Sequence, residues 1–232
     1  SLGHHIIDLV PGLIGLKGKQ SFFADIAGIR ADAKVDLYIE STHVCSERGE
    51  LQLTNYGISG IPVFQLSRVA ARALSEQKKV YATLNFVPFW EKEQCLTYFK
   101  ERFKKADEKH IGEALIGFFP EKLIPVLLEE SHIKAAKYAN RLQTEELERF
   151  IDTVQGLRVD ITDWNTFDTA QVTAGGVDTD EIDAETMESK LCPGLYFAGE
   201  MVDIDGICGG YNLQWAWSSG AVAGIHVARE LS

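Results

Sequence analysis

A glycine pair ahead of the last long helix is the stretch of this sequence best suited to chemistry. Gly209 and Gly210 precede an amphipathic pattern that predicts a helix beginning at Tyr211. Glycine lets a backbone pass close to a ligand because it has no Cβ. The first turn of a helix offers free N–H groups that favour a negative or electron-rich group, so Tyr211 and Asn212 are candidate binding residues. A glycine turn that merely redirects the chain explains this pattern equally well.

Acidic residues stand just upstream of the glycine pair. Residues 195–198 are apolar and predict a short strand, which Gly199 and Glu200 follow directly. The Glu200 carboxylate is therefore expected at a strand end, where α/β folds place ligands. Of Asp203 and Asp205, one could contact the same ligand while the other shapes the turn through a bond to the backbone.

A second glycine pair, Gly175 and Gly176, lies in a predicted strand at residues 171–177. It could bring the backbone close to a ligand, and a β-bulge or tight turn is an equal interpretation. His4 and His5 are interpreted as exposed residues or the remnant of a tag. No group of histidine, cysteine and carboxylate residues has the spacing of a metal site, so no metal is expected.

Hydrophobic periodicity predicts alternating blocks of strands and helices. Residues 1–20 are expected to be irregular or to form an edge strand, and a hairpin turn is predicted at residues 47–50. Ser59 is the predicted N-cap of an amphipathic helix. Further strands are predicted at residues 33–40, 51–53, 81–87 and 157–161, and helices at 61–75, 91–106, 120–130, 144–154 and from 211 onward. The last helix has a face of small and apolar residues on which a sheet could pack closely: Leu213, Ala216, Trp217, Gly220, Gly224, Val227 and Leu231.

Bulk composition excludes several classes of protein. The 232 residues carry a net charge of -11 with a pI near 5.0, which argues against nucleic acid as a partner. No apolar run reaches the roughly 20 residues that a membrane helix needs. The four cysteines are far apart in the sequence, as expected for reduced thiols in a cytoplasmic protein.

The segments PGLYFAGE (residues 193–200) and VDIDGICGGYNLQWAWSSGAVAG (202–224) resemble the C-terminal flavin-binding segment of two-dinucleotide-domain flavoproteins. More narrowly, the chain resembles the YhiN-like (aminoacetone-oxidase-like) family of FAD-dependent oxidoreductases. The resemblance extends to QVTAGGV (171–177), MESK (187–190), TNYGISG (54–60) and LGH (2–4).

The resemblance implies a cofactor and a set of residues that hold it. The cofactor is FAD, NAD(P)H is a candidate electron donor, and a hydride would pass through the flavin to or from a small-molecule substrate. An acidic residue at the position of Glu200 accepts hydrogen bonds from the ribityl chain in related flavoproteins, and the N–H groups of residues 209–212 would face the N1–C2=O edge of the flavin. The implied cofactor-binding residues are Gly175, Gly176, Gly199, Glu200, Asp203, Gly209, Gly210, Tyr211 and Asn212, and no catalytic acid or base can be named.

The same resemblance implies a mixed α/β fold in two parts. Residues 1–160 correspond to an insertion domain, with a β-rich part at about 1–90 and a helical bundle at about 91–154. Residues 161–232 correspond to the C-terminal part of a Rossmann-like FAD-binding domain.

A strand followed by G-x-G-x-x-G, the fingerprint that holds a dinucleotide, is missing from this sequence. The chain is therefore expected to be the C-terminal part of a longer flavoprotein, and its missing N-terminal half is an expected partner. Alone it should bind FAD poorly and lack activity, and its unpaired strand edges would favour self-association. The alternative is a non-enzymatic binding or interaction module.

Overall fold

The computed structural model describes residues 2–230, with the side chain of residue 230 left out. Its elements form a closed barrel, a group of helices packed against the barrel, and a C-terminal region built on a two-stranded ribbon. The strands are β1 (Ile6–Gly12), β2 (Leu16–Gly18), β3 (Arg30–Ile39), β4 (Thr42–Leu53), β5 (Gly57–Gly60), β6 (Val80–Asn85), β7 (Leu157–Trp164) and β8 (Val172–Val177). The helices are α1 (Phe23–Ile26), α2 (Ile61–Ser75), α3 (Lys92–Lys104), α4 (Ile111–Leu115), α5 (Leu123–Glu130), α6 (Thr144–Gly156) and α7 (Tyr211–Glu230).

Six antiparallel strands close the barrel in the order β2-β5-β4-β3-β6-β7. The alternation that predicted a strand at residues 33–40 is confirmed in β3, where Ala33, Val35 and Leu37 point into the core. Because successive side chains point to opposite faces of a strand, the intervening polar residues are left on the outer surface. The interior is therefore filled with side chains.

The hairpin turn predicted at residues 47–50 is wrong. β4 continues through these residues and pairs with β3 over nearly its whole length, while the chain turns at Glu40, whose φ is 57°. The charged residues of this stretch pair across the strands instead of marking a turn. Arg48 contacts Asp32 and Arg30 contacts Glu50, each at 3.0 Å. These contacts are diagonal, because Asp32 faces Glu50 and Lys34 faces Arg48 in the ladder. Long side chains can reach such diagonal neighbours, where opposite charges attract.

Helix α2 is confirmed at Ile61–Ser75, but its N-cap is Gly60 and not Ser59. Ser59 lies within β5 and is buried. Gly60 has a φ of 96°, and a Cβ there would overlap the carbonyl oxygen of Glu50 on the neighbouring strand. A glycine is therefore needed where the chain leaves the barrel and enters the helix.

The helices α3 to α6 share one continuous core with the barrel. Four phenylalanine rings, Phe99, Phe103, Phe119 and Phe150, pack together in this region. The same cluster of buried residues includes barrel residues such as Leu84 of β6. The predicted helices at 91–106, 120–130 and 144–154 are confirmed to within a few residues at each end.

β1 and β8 pair antiparallel with each other and form a ribbon outside the barrel. The ribbon contacts the barrel region through α2, where Ala71 packs with Val10 and Ala174. The first 20 residues thus contribute a strand to the ribbon and another to the barrel, and β7 continues in the barrel to Trp164. The domain division at residue 160 remains a prediction.

The strand predicted at residues 195–198 is not formed in the described chain. Tyr196 makes an isolated bridge with Glu188, and the following residues enter a short 3-10 turn at Gly199–Met201. The apolar pattern is nevertheless used, because Phe197 is buried with Val177, Val202 and Ala223 in a small cluster. Hydrophobic patterning reports burial, and an extended strand additionally needs a neighbour with which to form hydrogen bonds.

Helix α7 packs through one face and exposes the other. Ser219 and Ala223 are buried, whereas Leu213 is 61% exposed and Trp217 is 68% exposed. A Cβ added at Gly220 or at Gly224 would meet no heavy atom within 4 Å. Leu231, the last member of the predicted packing face, lies outside the described residues. Within the described chain, no helix is both long and apolar enough to cross a membrane.

Candidate functional site

A cleft of about 380 Å³ lies at the start of α7. Three parts of the chain line it: the link between β1 and β2 at Leu13, the entry to β8 at residues 171–172, and the segment from Glu200 to Ala216. Of the residues predicted from the sequence, the structure brings Glu200, Gly209, Gly210 and Asn212 together in its wall.

The two glycines give the cleft an open approach to the start of α7. Gly209 and Gly210 have φ values of 124° and 91°, which residues other than glycine rarely adopt. A Cβ at Gly210 would meet no heavy atom within 4 Å, so glycine is needed there for its backbone conformation and the space beside it is open. The Gln214 N–H donates to the Gly210 carbonyl at 3.0 Å. The N–H groups of residues 211–213 therefore belong to the first turn, where a helix supplies no backbone acceptor.

Asn212 closes the loop that leads into the helix. Its side-chain oxygen accepts from the Gly206 N–H at 2.8 Å, and its side-chain nitrogen donates to the Gly206 carbonyl at 3.0 Å. The side chain is thus held within the protein, which leaves the backbone N–H of Asn212 as the candidate ligand group at the helix start. Sequence reasoning had identified the residue without this role.

Glu200 is exposed but oriented. One carboxylate oxygen accepts from the Thr173 N–H at 2.6 Å. Gly199 is held from both sides by α7: its N–H donates to the Ser219 hydroxyl at 2.9 Å, and its carbonyl accepts from the Trp215 indole at 3.0 Å. The turn that carries Glu200 is therefore fixed on the helix, although its flanking residues do not form the predicted strand.

Gly175 and Gly176 have a structural explanation. A Cβ at Gly175 would overlap the Asp8 carbonyl of β1, and a Cβ at Gly176 would lie 2.5 Å from the Met201 carbonyl oxygen. The pairing of β1 and β8 also shifts between Ile7 and Val10, opposite Gly175. The bulge interpretation accounts for this pair, and their contact with a cofactor stays a prediction.

The two aspartates of the loop are paired with arginines of α2. Asp205 contacts Arg68 at 2.8 Å, and Asp203 contacts Arg72 at 3.4 Å. Sequence reasoning missed these pairs, which join residues more than 130 positions apart. They place the carboxylate of Asp203, a predicted cofactor-binding residue, against a guanidinium group of the protein itself. In residues 2–230, no three potential metal ligands come together.

Residues 1–226 match the family described as the HI0933-like protein Rossmann domain. The chain belongs to the HI0933-like family. It is 45% identical over 224 residues to a 3-dehydro-bile acid delta(4,6)-reductase of Clostridium scindens, an alignment that covers 97% of this chain and 55% of that protein. It is 33% identical over 172 residues to a ribosomal RNA dihydrouridine synthase of Escherichia coli, covering 74% of this chain and 40% of the relative. The Haemophilus influenzae enzyme of the same name is 30% identical over 198 residues, covering 84% of this chain and 47% of the relative.

These findings confirm the coarser part of the resemblance. The HI0933-like chain has a mixed α/β fold, belongs to a Rossmann-type oxidoreductase family of the flavoprotein kind, and has a reductase among its relatives. It spans about half the length of these curated relatives. The narrower placement among YhiN-like proteins stays a prediction.

His4 and His5 of the HI0933-like chain contact the C-terminal region, and His5 is exposed, as one of the two interpretations of this pair predicted. The His4 imidazole lies 2.7 Å from the Ser189 hydroxyl and meets the Phe197 ring edge-on. The exposed His5 imidazole lies 3.0 Å from the Asp178 carboxylate. The sequence could have indicated the contact of His4 with Ser189, because the LGH segment, which contains His4, and the MESK segment, which contains Ser189, both belong to the resemblance.

The contact between His5 and Asp178 moves the titrations of the two groups apart. The hydrogen bond to Asp178 raises the pKa of His5, and the same bond lowers the pKa of Asp178. Because the pKa of His5 is higher in the folded chain, the protonated imidazole stabilises the folded state at low pH. This contribution is lost as the pH rises through the pKa of His5 in the folded chain. The lowered carboxyl pKa stabilises folding above the usual carboxyl range and loses this effect as pH falls. The contact between His5 and Asp178 should therefore be strongest at pH values between the usual pKa of a carboxyl group and the usual pKa of an imidazole.

An NMR titration of the His5 ring would check this expectation. Asp178→Asn should return the His5 pKa toward its ordinary value, because the neutral amide cannot favour the imidazolium as the carboxylate does. Asp168→Asn, at another acidic residue, is the control and should leave the titration unchanged. An identical His5 titration in the wild-type chain and in Asp178→Asn would contradict the assignment.

Proposed function

We propose that this chain is the C-terminal part of a flavin-dependent reductase, and that the cleft at the start of α7 holds the flavin ring. The open, left-handed conformation of Gly210 carries the proposal, because a glycine there leaves space next to the first helical turn. Membership of the HI0933-like family supports a dinucleotide cofactor such as FAD.

The residues at the cleft suit one edge of a flavin. Backbone N–H groups at Gly210, Tyr211 and Asn212 would hold the electron-rich edge of the ring and stabilise negative charge that develops there. Glu200, oriented by Thr173, would accept hydrogen bonds from the hydroxyl groups of the ribityl chain. FAD, when bound, supplies hydride-transfer chemistry, for which NAD(P)H is our proposed electron donor. Apolar walls at Leu13 and other positions would limit the access of water.

The substrate that we propose is a small molecule. The relative with the highest identity quoted above is named for a 3-dehydro-bile acid, and the alignment with it covers nearly this whole chain. The two relatives named for ribosomal RNA are less similar. A net charge of -11 also disfavours a phosphate backbone as partner, because binding to nucleic acid depends on Lys and Arg contacts with phosphates.

The exposed face of α7 is the proposed contact with the N-terminal half of a longer polypeptide. Its exposed apolar side chains and its small residues at 220 and 224 suit a closely packed sheet. The relatives extend over roughly twice the aligned length. In the absence of that half, the same face and the ribbon edges would favour self-association.

Visible absorption spectroscopy tests the proposed function. A longer polypeptide, extended at its N-terminus to the length of the relatives, should purify with the bands of oxidised flavin or acquire them with added FAD. The 232-residue chain should bind FAD at least about tenfold more weakly, which corresponds to about 1.4 kcal/mol, because its sequence contains no glycine fingerprint for the pyrophosphate. A longer polypeptide that stays colourless would favour the interaction-module alternative.

Gly210→Ala provides a matched test of the cleft itself. In the longer polypeptide, the added methyl group should project into the proposed flavin space and weaken FAD binding by about tenfold or more, or about 1.4 kcal/mol. Gly117→Ala is the control, since Gly117 has a similar φ of 82° and equally open surroundings but lies in the helical part. Equal FAD affinities in the two variants would contradict a flavin at the start of α7.

A further inference from the structure

The outward face of α2 runs along the loop that leads into α7. Gln65, Arg68 and Arg72 recur at spacings of three and four residues, so they share one face of the helix. Besides the two ion pairs of Arg68 and Arg72, the Gln65 side-chain oxygen accepts from the Cys208 N–H at 2.9 Å. The three side chains thus contact positions 208, 205 and 203 in antiparallel order. A continuous seam therefore joins α2 to the loop.

The opposite face of α2 is anchored in the barrel. Val63, Leu66 and Ala70 are buried in the barrel core, with exposures of 2% or less. Because closely packed interiors resist rearrangement, α2 should keep its place relative to β4 and β5. The seam therefore fixes the position of the loop relative to the barrel, which is a rigid part of the molecule.

The loop itself is held at both ends. Val202 is buried at its beginning, and the Asn212 side chain ties Gly206 to the first turn of α7. Between these points lies Asp205, whose side chain is 12% exposed. Its partner Arg68 is 46% exposed, so the pair is partly screened by water and each bond contributes modestly. The two ion pairs and the Gln65 hydrogen bond, acting together on one short loop, can still select one conformation.

We propose that α2 is the template for the loop at residues 203–210, and that Gln65 and Arg68 are positioning residues for the flavin site. They touch no part of the cofactor under this proposal, and they act by fixing the loop from which Gly209 and Gly210 reach the cleft. The role in flavin binding rests on the proposed function, whereas the template role concerns this chain alone. The barrel would thereby set the geometry of a site that lies outside it.

Hydrogen exchange measured on the 232-residue chain tests the template role without any cofactor. Arg68→Ala should speed exchange of the amides at residues 205–210 by about two- to fivefold, the range for a partly exposed ion pair. Gln65→Ala should act most strongly on the Cys208 amide, which loses its acceptor. Arg48→Ala is the control, because it removes an exposed ion pair with Asp32 on the barrel. Unchanged exchange at residues 205–210 in both variants would overturn the template.

Charge reversal separates the ion pair from a general loss of packing. Arg68→Asp alone should speed exchange in the loop further, because two like charges would then face each other. Combined with Asp205→Arg, it should return exchange most of the way toward the wild-type rate. Failure of the double variant to recover, with the rest of the chain still protected, would count against a role for this pair.

The role of Arg68 in the flavin site is tested in the longer polypeptide, by measuring its affinity for FAD and the reduction potential of the bound flavin. Arg68→Ala should weaken FAD binding by about threefold or more and shift the reduction potential, because the N–H groups facing the ring would be less well fixed. Arg68→Lys should restore part of both, and Arg48→Ala should change neither. A wild-type polypeptide that binds no flavin refutes the proposed function, and the exchange experiment then decides the template role by itself. Normal affinity and potential in Arg68→Ala would overturn the positioning role.

Discussion

Phe99→Ala should lower the free energy of unfolding by about 3–5 kcal/mol, the range for removing a large aromatic side chain from a core. Phe99 is fully buried, and its ring lies 5.5 Å from Phe150 and 6.0 Å from Phe119, measured between centroids. The surrounding rings cannot close the space completely, so a cavity adds to the lost burial. Against a total stability of about 5–15 kcal/mol for a typical domain, this loss is large.

The effect of Phe99→Ala on the barrel strands is more informative than the size of the loss in stability. Phe99 belongs to α3, but its cluster of buried residues continues into the barrel. If the two parts share one core, Phe99→Ala should lower the temperature at which the barrel strands lose hydrogen-exchange protection as well as that of the helices.

Phe89→Ala is the matched control for this experiment. The Phe89 ring is 62% exposed, and Arg48 lies 4.1 Å from its centroid. Its removal should cost about 0.5–1 kcal/mol, as expected for an exposed cation–π contact. If Phe99→Ala unfolds the helices while the barrel strands keep their full protection, the helical part is a separate folding unit.

Local patterns in the sequence predicted elements whose burial repeats regularly. The helix at residues 61–75 and the strand at 33–40 were found because each buries one face at its own period, 3.6 or 2 residues. Of the long strand β4, only the end at residues 51–53 was predicted, since the four charged or glycine residues at 47–50 look like a turn. Their partners lie on β3, and pairing between strands is a tertiary property that periodicity does not contain.

The residues of the candidate site likewise fall into two groups, those that a local pattern predicted and those that it did not. Glu200, Gly209, Gly210 and Asn212 were predicted from one segment and do lie around one cleft. The contribution of Leu13 was not predicted, nor was the seam of α2, because these residues come from distant parts of the chain. Closed barrels and distant ion pairs depend on long-range contacts, so a single sequence without relatives gives little local signal for them.

Gly176→Ala should disturb the turn that carries Glu200. A Cβ at this position would lie 2.5 Å from the Met201 carbonyl oxygen and 3.0 Å from the Val202 carbonyl carbon. Those atoms are backbone, so they cannot rotate away as the end of a side chain could. The clash adds to the strain of a φ of 139°, and together they should cost about 2 kcal/mol or more.

Gly194→Ala distinguishes the clash from the strain. Gly194 has a φ of 82° and no heavy atom within 4 Å of an added Cβ, so its substitution should cost only the 1–2 kcal/mol (roughly) of a left-handed residue. Hydrogen exchange of β1 and β8 in the 232-residue chain should report a larger loss for Gly176→Ala. Under the proposed function, the longer polypeptide should also lose FAD affinity by about tenfold or more, since about 1.4 kcal/mol gives that factor. Equal effects of the two substitutions would mean that β8 can move away from the turn, and that Gly176 does not hold Glu200 in place.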